Sequence, residues 1–169
     1  MEILRGLHFF CINIDMSLTN NFNFLSPTGF KLSIESPKFD NLEYFITTVS
    51  LPSMSLSEVS SSFQNQQGFV SGDQVNFDSL EVTFSVDEDM NNYNEVFNWI
   101  KETADSDTQV TNDIILSILT SHNNLNRQIR FVNAIPVSLG GVEFTTQASD
   151  IEYLQSNVSF RYDYFELIR

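Results

Sequence analysis

Phe77-Asp78-Ser79-Leu80-Glu81-Val82-Thr83-Phe84-Ser85-Val86-Asp87-Glu88-Asp89-Met90 runs on through Tyr93, Phe97, Trp99 and Ile100, and within it the hydrophobic period changes from two residues to about 3.6. A strand hands over to a helix. Leu80, Val82, Phe84 and Val86 alternate with Glu81, Thr83 and Ser85, the pattern of a strand with one buried face. The carboxylates of Asp87, Glu88 and Asp89 are expected to cap the free N–H groups of the first helical turn and to complement the helix dipole. The spacing predicts a helix over residues 88–104, with Met90, Tyr93, Phe97, Ile100 and Ala104 on one stripe that Val96 and Trp99 widen. Tyr93, Phe97, Trp99 and Ile100 are the expected packing residues. This is the one convincing helix, and it carries the only Trp.

Outward from this stretch the patterns are those of strands. Towards the N-terminus, a turn at Pro27-Thr28-Gly29 delivers Phe30-Lys31-Leu32-Ser33-Ile34-Glu35, a clean in-out alternation. Residues 37–41 read as a turn. Residues 43–50 read as a strand with apolar or β-branched residues on both faces, Tyr44, Ile46 and Thr48 against Phe45, Thr47 and Val49, so that both faces are expected to be covered. Leu51-Pro52 stops it, because proline cannot donate to a sheet ladder. Residues 53–75 are polar, with weak alternation at Met54, Leu56, Val59, Phe69 and Val75, and form the expected long hairpin with its tip at residues 64–68. A projecting arm of that length with two apolar edges is a partner-binding element by expectation.

Towards the C-terminus, residues 105–112 are a polar linker, and residues 113–120 are apolar on both faces, as a central buried strand is. Residues 127–133 make another strand, with Ile129 and Phe131 facing opposite to Gln128, Arg130 and Val132. After Pro136, a separate segment carries Val137, Leu139, Val142 and Phe144 around Gly140-Gly141, a pair that marks a bulge or tight turn. In residues 157–166, Val158, Phe160, Tyr162 and Tyr164 are expected on one face, with Ser159, Arg161, Asp163 and Phe165 on the other.

Composition agrees with a mainly β domain. The 169 residues include 16 Phe and 5 Tyr among many Ser, Thr, Asn and Gln, a mixture that suits half-buried strands. One domain over residues 17–169 is the economical division, preceded by an extension over residues 1–16. That extension has the apolar patch Leu7-His8-Phe9-Phe10-Cys11-Ile12 of a weak signal peptide, but Asn13 and Asp15 follow it with no small-residue cleavage site. An ordered extension, or an upstream start before Met16, is the preferred reading. A formal net charge of −14, from 22 acidic and 8 basic residues, repels a phosphate backbone and argues against duplex binding through a basic patch. Solubility alone explains such a charge. Cys11 is the only cysteine, which excludes an internal disulfide and a zinc site built on cysteine pairs. No apolar run approaches the roughly 20 residues of a membrane-spanning helix.

Catalytic patterns are missing. There is no GxSxG, P-loop, GxGxxG or HExxH, and Gly140-Gly141 alone is a weak phosphate-loop signal. His8 and His122 are far apart in sequence and beside no carboxylate. Asp87, Glu88 and Asp89, with Asp105 and Asp107, could be drawn as a calcium or magnesium site, but the spacing and glycine of an EF-hand are lacking and capping accounts for them better. No carboxylate pair is singled out for glycoside hydrolysis. No catalytic, cofactor-binding or metal residue is therefore assigned.

The order of elements resembles the tail-tube proteins of contractile-tailed bacteriophages, whose relatives form the tubes of type VI secretion and other contractile injection systems. The likeness rests on a first strand at residues 29–35, a strand ending in Leu51-Pro52, a long arm, the Phe-Asp-x-Leu-x-Val-x-Phe-x-x-Asp pattern of residues 77–87, one helix bearing Trp99, and a closing alternating strand. It spans residues 27–169, and the segment before Met16 and the turn at Pro27 depart from it. The resemblance implies an antiparallel two-sheet β-barrel or sandwich with a long projecting hairpin, and a structural, non-enzymatic role in hexameric rings that stack into a tube. The arm residues facing the neighbouring ring would then be Leu56, Val59, Phe63, Gln66, Phe69 and Val75. It further implies no cofactor and no membrane insertion, sheath, baseplate or terminator proteins as partners, phage DNA passing non-specifically through the lumen, and a virion component assembled in the host cytoplasm. Tube subunit, initiator, adaptor and terminator ring are not separated by these motifs. The competing class is a monomeric β-sandwich that binds glycan or protein; a carboxylate hydrolase has only generic acidity behind it.

Overall fold

A computed structural model describes residues 24–36, 38–39, 42–43, 45–63, 65–107, 110–146 and 153–168. The readings of residues 1–16, with His8 and Cys11, and of Tyr44 lie outside the described residues. The fold is mainly β with one helix and two antiparallel sheets.

Its spine is a long two-stranded ribbon. β7 (Leu125–Leu139) pairs with β8 (Gln155–Arg161) along its second half and with β9 (Tyr164–Ile168) along its first. Ile135 faces Arg161 and Val132 faces Tyr164 in one continuous register, so β8 and β9 are a single strand interrupted at Tyr162-Asp163. β6 (Asn112–Leu119) and then β1 (Phe30–Ile34) add to the free side of the first half of β7. β5 (Leu80–Ser85) and then β2 (Ile46–Ser50) add to β8. The two halves, β1-β6-β7-β9 and β7-β8-β5-β2, share β7 and enclose the core between them. Leu32, Ile34, Leu80, Val82, Phe84, Ile114, Ile129, Phe131, Val158 and Phe160 line it, all buried.

The bend that lets one strand serve both halves is at Asn133, a non-glycine residue with φ 54°. The register between β6 and β7 shifts there, and the buried positions move from Ile129 and Phe131 to Ala134 and Pro136. A bulge changes the parity of the strand so that the same face stays inside. Asp113 holds it. One carboxylate oxygen accepts the Asn133 N–H at 2.9 Å, and the other accepts Nε of Arg130 at 2.9 Å as well as its Nη2. Burial works to raise the Asp113 pKa, but the Asn133 N–H and the Arg130 guanidinium outweigh it and hold the carboxyl below its ordinary value. Pro136 lies just beyond the reach of β6, where β7 has a neighbour on one side only, the place where a sheet tolerates a residue without an N–H.

α1 (Asn91–Asp105) covers the core. Trp99 is buried, stacks on Phe39 with ring centroids 4.5 Å apart, leans on Phe160 at 5.7 Å, and donates from Nε1 to the Val110 carbonyl at 2.8 Å. Glu95 accepts the Leu42 N–H at 3.2 Å and ties the helix to the segment before β2.

Several expectations need correction. The helix starts at Asn91, and no acid stands in its first turn or caps it through a side chain. Asn92 does this work from a fully buried position. Its Oδ1 accepts the Tyr93 N–H at 2.8 Å and the Asp87 N–H at 3.2 Å, while its Nδ2 donates to the Ser85 carbonyl at 2.8 Å. The buried stripe therefore runs through Asn92, Val96 and Trp99; Tyr93 and Ile100 flank it, and Phe97 is 52% exposed. β2 is shorter than residues 43–50, and Thr47 and Thr48 face solvent, so only one of its faces is covered. The two segments expected on either side of Pro136 are one strand, and Val142 and Phe144 fall in none. The interruption at Tyr162-Asp163 changes the phase of the closing strand, turning Tyr164 outward and Phe165 inward.

Two stability predictions test this account. Trp99→Ala is expected to cost about 3–5 kcal/mol in urea unfolding, and Phe97→Ala less than about 1 kcal/mol; similar costs for the two would contradict the orientation of α1. Because the Asp113 pKa is lowered in the folded state, its stabilisation is complete above the ordinary carboxylate range and is lost as pH falls through the folded value. Asp113→Asn is expected to cost about 1–3 kcal/mol at neutral pH and to flatten the acid limb of the stability profile.

Candidate assembly interface

Residues 51–79 leave the body between β2 and β5 and form the second sheet. β3 (Met54–Phe63) and β4 (Gln66–Phe77) pair from Met54 opposite Phe77 out to Phe63 opposite Gln66, and Asn65 turns the tip with φ 69°. The root is clamped on to the ribbon. Phe77 packs against Phe165 and Tyr162, with centroids 5.4 and 6.1 Å apart, and both of those rings also touch Phe131. The Tyr162 hydroxyl donates to the Asp78 carbonyl at 2.8 Å; burial, and then the charge of Asp78, push its pKa up. The Asp78 N–H donates to the Ser53 carbonyl at 3.1 Å, and the Ser53 hydroxyl bonds the Asp78 carboxylate.

Beyond the root no described side chain of the arm belongs to the core. Of the six arm residues picked out from the sequence, Leu56 and Val75 oppose each other across the hairpin, Phe69 opposes Ser60, and all three are exposed, as is Val59. Gln66 and Phe63 form the last pair before the tip, with Gln66 in solvent. The structure adds Met54 and Val70, also exposed, the latter the cross-strand partner of Val59. Only the register reveals that pairing.

The arm is kinked a third of the way out. Leu56 faces Val75 and Glu58 faces Ser71, so Gly72, Asp73 and Gln74 stand against Ser57 alone. The Ser57 hydroxyl accepts the Gln74 N–H at 3.3 Å. A Cβ on Gly72 would lie 2.7 Å from the Ser57 carbonyl oxygen, closer than any side chain can sit.

Open edges complete the surface. β1 and β2 each have a strand on one side only among the described residues, and so does β9. β2, Ile46-Thr47-Thr48-Val49-Ser50, carries no charge and no proline, the usual devices by which a monomer protects an edge. The acids once drawn as a metal site are not gathered: among the described residues no group of three or more His, Cys, Asp or Glu could hold an ion. No described helix is long and apolar enough to cross a membrane.

No protein-family model matches this chain, and no curated protein matches it by sequence. Solved structures do match it. The tube-terminating cap of the anti-feeding prophage superposes with a TM-score of 0.68 at 16% identity, over 90% of this chain and 99% of that one. The chain has the tail-tube fold. The sheath/tube terminator of the extracellular contractile injection system PVC, in its extended state, matches at TM-score 0.63 and 18% identity, over 88% of this chain and 100% of that one. A chain of the PVC sheath-tube complex matches at TM-score 0.64 and 17% identity, over 86% and 91%.

Gly72→Ala tests the kink. It is expected to cost the hairpin about 1–3 kcal/mol, read as faster amide exchange across β3 and β4, while the thermal unfolding of the body is unchanged because no core residue moves.

Proposed function

We propose that this chain is a non-enzymatic structural subunit of a phage-type tail, forming six-membered rings that stack into the tail tube or close its end. One observation carries the reading: a clamped hairpin with exposed Leu56, Val59, Phe69, Val70 and Val75 projects from a tail-tube body and has nothing of its own chain to pack on among the described residues. Apolar side chains held out on a rigid root are a docking element. Within a ring, the uncharged edge of β2 and the edges of β1 and β9 supply strand pairing between copies. Between rings, the arm reaches the next copy. Three of the structural neighbours come from a tube-terminating cap, a sheath-tube complex and a sheath/tube terminator, and sheath, baseplate or terminator proteins are the matching partners for this chain.

The net charge of −14 fits a channel for phage DNA, since a like-charged wall repels phosphates and lets the duplex slide. The subunit would be made in the host cytoplasm and end in the virion. The glycan- or protein-binding monomer has no comparable support, because the solved structures that share this fold come from a tube-terminating cap, a sheath-tube complex and a sheath/tube terminator.

Negative-stain microscopy over a concentration series, with light-scattering mass, tests the proposal. Hollow rings or stacks of sixfold symmetry are expected, and a strictly monomeric particle at high concentration would refute it. Replacing residues 53–75 with a short Gly-Ser turn is expected to leave a folded subunit, because none of their described side chains belongs to the core, but one that no longer stacks.

A further inference from the structure

A groove of about 680 Å³ opens beside the start of α1, lined by Phe45, Val86, Met90, Phe144, Tyr153 and Leu154, with Asp87 and Glu88 at its rim. Its walls are held by the backbone: Ser85 N–H donates to the Phe45 carbonyl at 2.9 Å and Val86 N–H to the Leu154 carbonyl at 2.8 Å. Phe144 and Tyr153 are 71% and 82% exposed. The volume lies within the roughly 300–1,000 Å³ of sites that take a compact apolar ligand, which suits a few side chains.

Topology sets the groove and the arm apart. β2 and β5 run antiparallel from Ile46 opposite Phe84 to Ser50 opposite Glu81. Phe45 and Ser85 mark the groove end, and the arm leaves from the other end, between Ser50 and Leu80. The two apolar surfaces are thus separated by the length of β5, roughly 15–20 Å at the rise of an extended strand. A contact between different surfaces of identical chains is head-to-tail; it closes into a ring or propagates along an axis according to the rotation between copies, and surfaces at opposite ends of the subunit suit the axial case.

Charge selects the part of the arm that fits. The chain is strongly acidic and the groove rim carries two carboxylates, so most of a second copy would be repelled. The arm has no charged residue between Glu58 and Asp73, and that run holds the exposed pair Val59 and Val70. A neutral apolar finger meets an acidic rim without like-charge repulsion.

We infer that the groove between Phe45, Met90, Phe144 and Leu154 receives the uncharged outer part of the Met54–Phe77 hairpin from a second copy of this chain. The inference rests on the stacking proposed above and names the surface that receives the arm. Disulfide trapping in the full chain tests it. A tagged Val59→Cys copy and an untagged Phe144→Cys copy, both with Cys11→Ser, are expected to give a heterodimer of distinct mass that reductant dissolves. Val59→Cys mixed with Leu125→Cys, at the turn between β6 and β7, should give none. Phe144→Asp is expected to abolish stacking while single rings keep their mass. Stacks that form normally with Phe144→Asp, or that trap Val59→Cys elsewhere, overturn the groove assignment and leave the tube reading intact. In a separate Phe144→Cys copy that keeps the native Cys11, a bridge between the two within one chain would put the N-terminal segment in the groove and also overturn it. Wild-type protein that never self-associates refutes both.

Discussion

The carboxylate of Asp113 is the constraint on which the architecture turns. β7 must belong to two half-sheets at once, and a strand can do so only if it bends while keeping one face inside. Asn133 takes the left-handed conformation that makes this bend, at a cost that a non-glycine residue meets only when its surroundings hold it there. Asp113 supplies the hold through the Asn133 N–H, and Arg130 fixes the carboxylate from its other oxygen. Asn133 reaches on to Asp163, whose backbone N–H donates to the Val132 carbonyl at 3.0 Å across the interruption between β8 and β9. The bend in one strand and the break in its partner are thus fastened together.

From that junction the structure divides its labour. Phe131, Tyr162, Phe165 and Phe77 form an aromatic cluster beside the break, and through Phe77 the cluster grips the arm root. Inward lies the buried core, capped by Trp99. Outward lies a hairpin whose apolar residues have no place in that core. Apolar residues held out on a firmly rooted projection are what the proposed docking between copies would use.

Electrostatics and assembly pull against each other in this chain. A net charge of −14 keeps copies apart, yet a tube requires close contact between them. In the proposed assembly that conflict is eased locally, because the edge of β2 and the outer arm carry no charge.

Much of the plan is local and therefore legible in the sequence alone. The change of period at Asp87 placed β5 and α1, the proline at 52 ended β2, and the polar stretch with sparse apolar residues announced the hairpin, because each depends on neighbours within a turn or a strand. What local sequence cannot encode is phase across an irregularity. Asn133 and Asp163 each shift which residues face inward, and both shifts depend on partners far away in the chain, so Tyr164 was expected inside and Phe165 outside when the reverse holds. The helix cap escapes for a different reason: Asp87, Glu88 and Asp89 look like it, but Asn92 bonds Ser85 and Asp87 across the turn between β5 and α1, a geometry that residue type alone does not specify. Periodicity alone determined the kinds of element and the presence of an arm. Tertiary structure decided which face of each element is buried, and it alone set the arm and the groove at opposite ends of the same two strands, because register and relative position arise from pairing between segments that the sequence holds far apart.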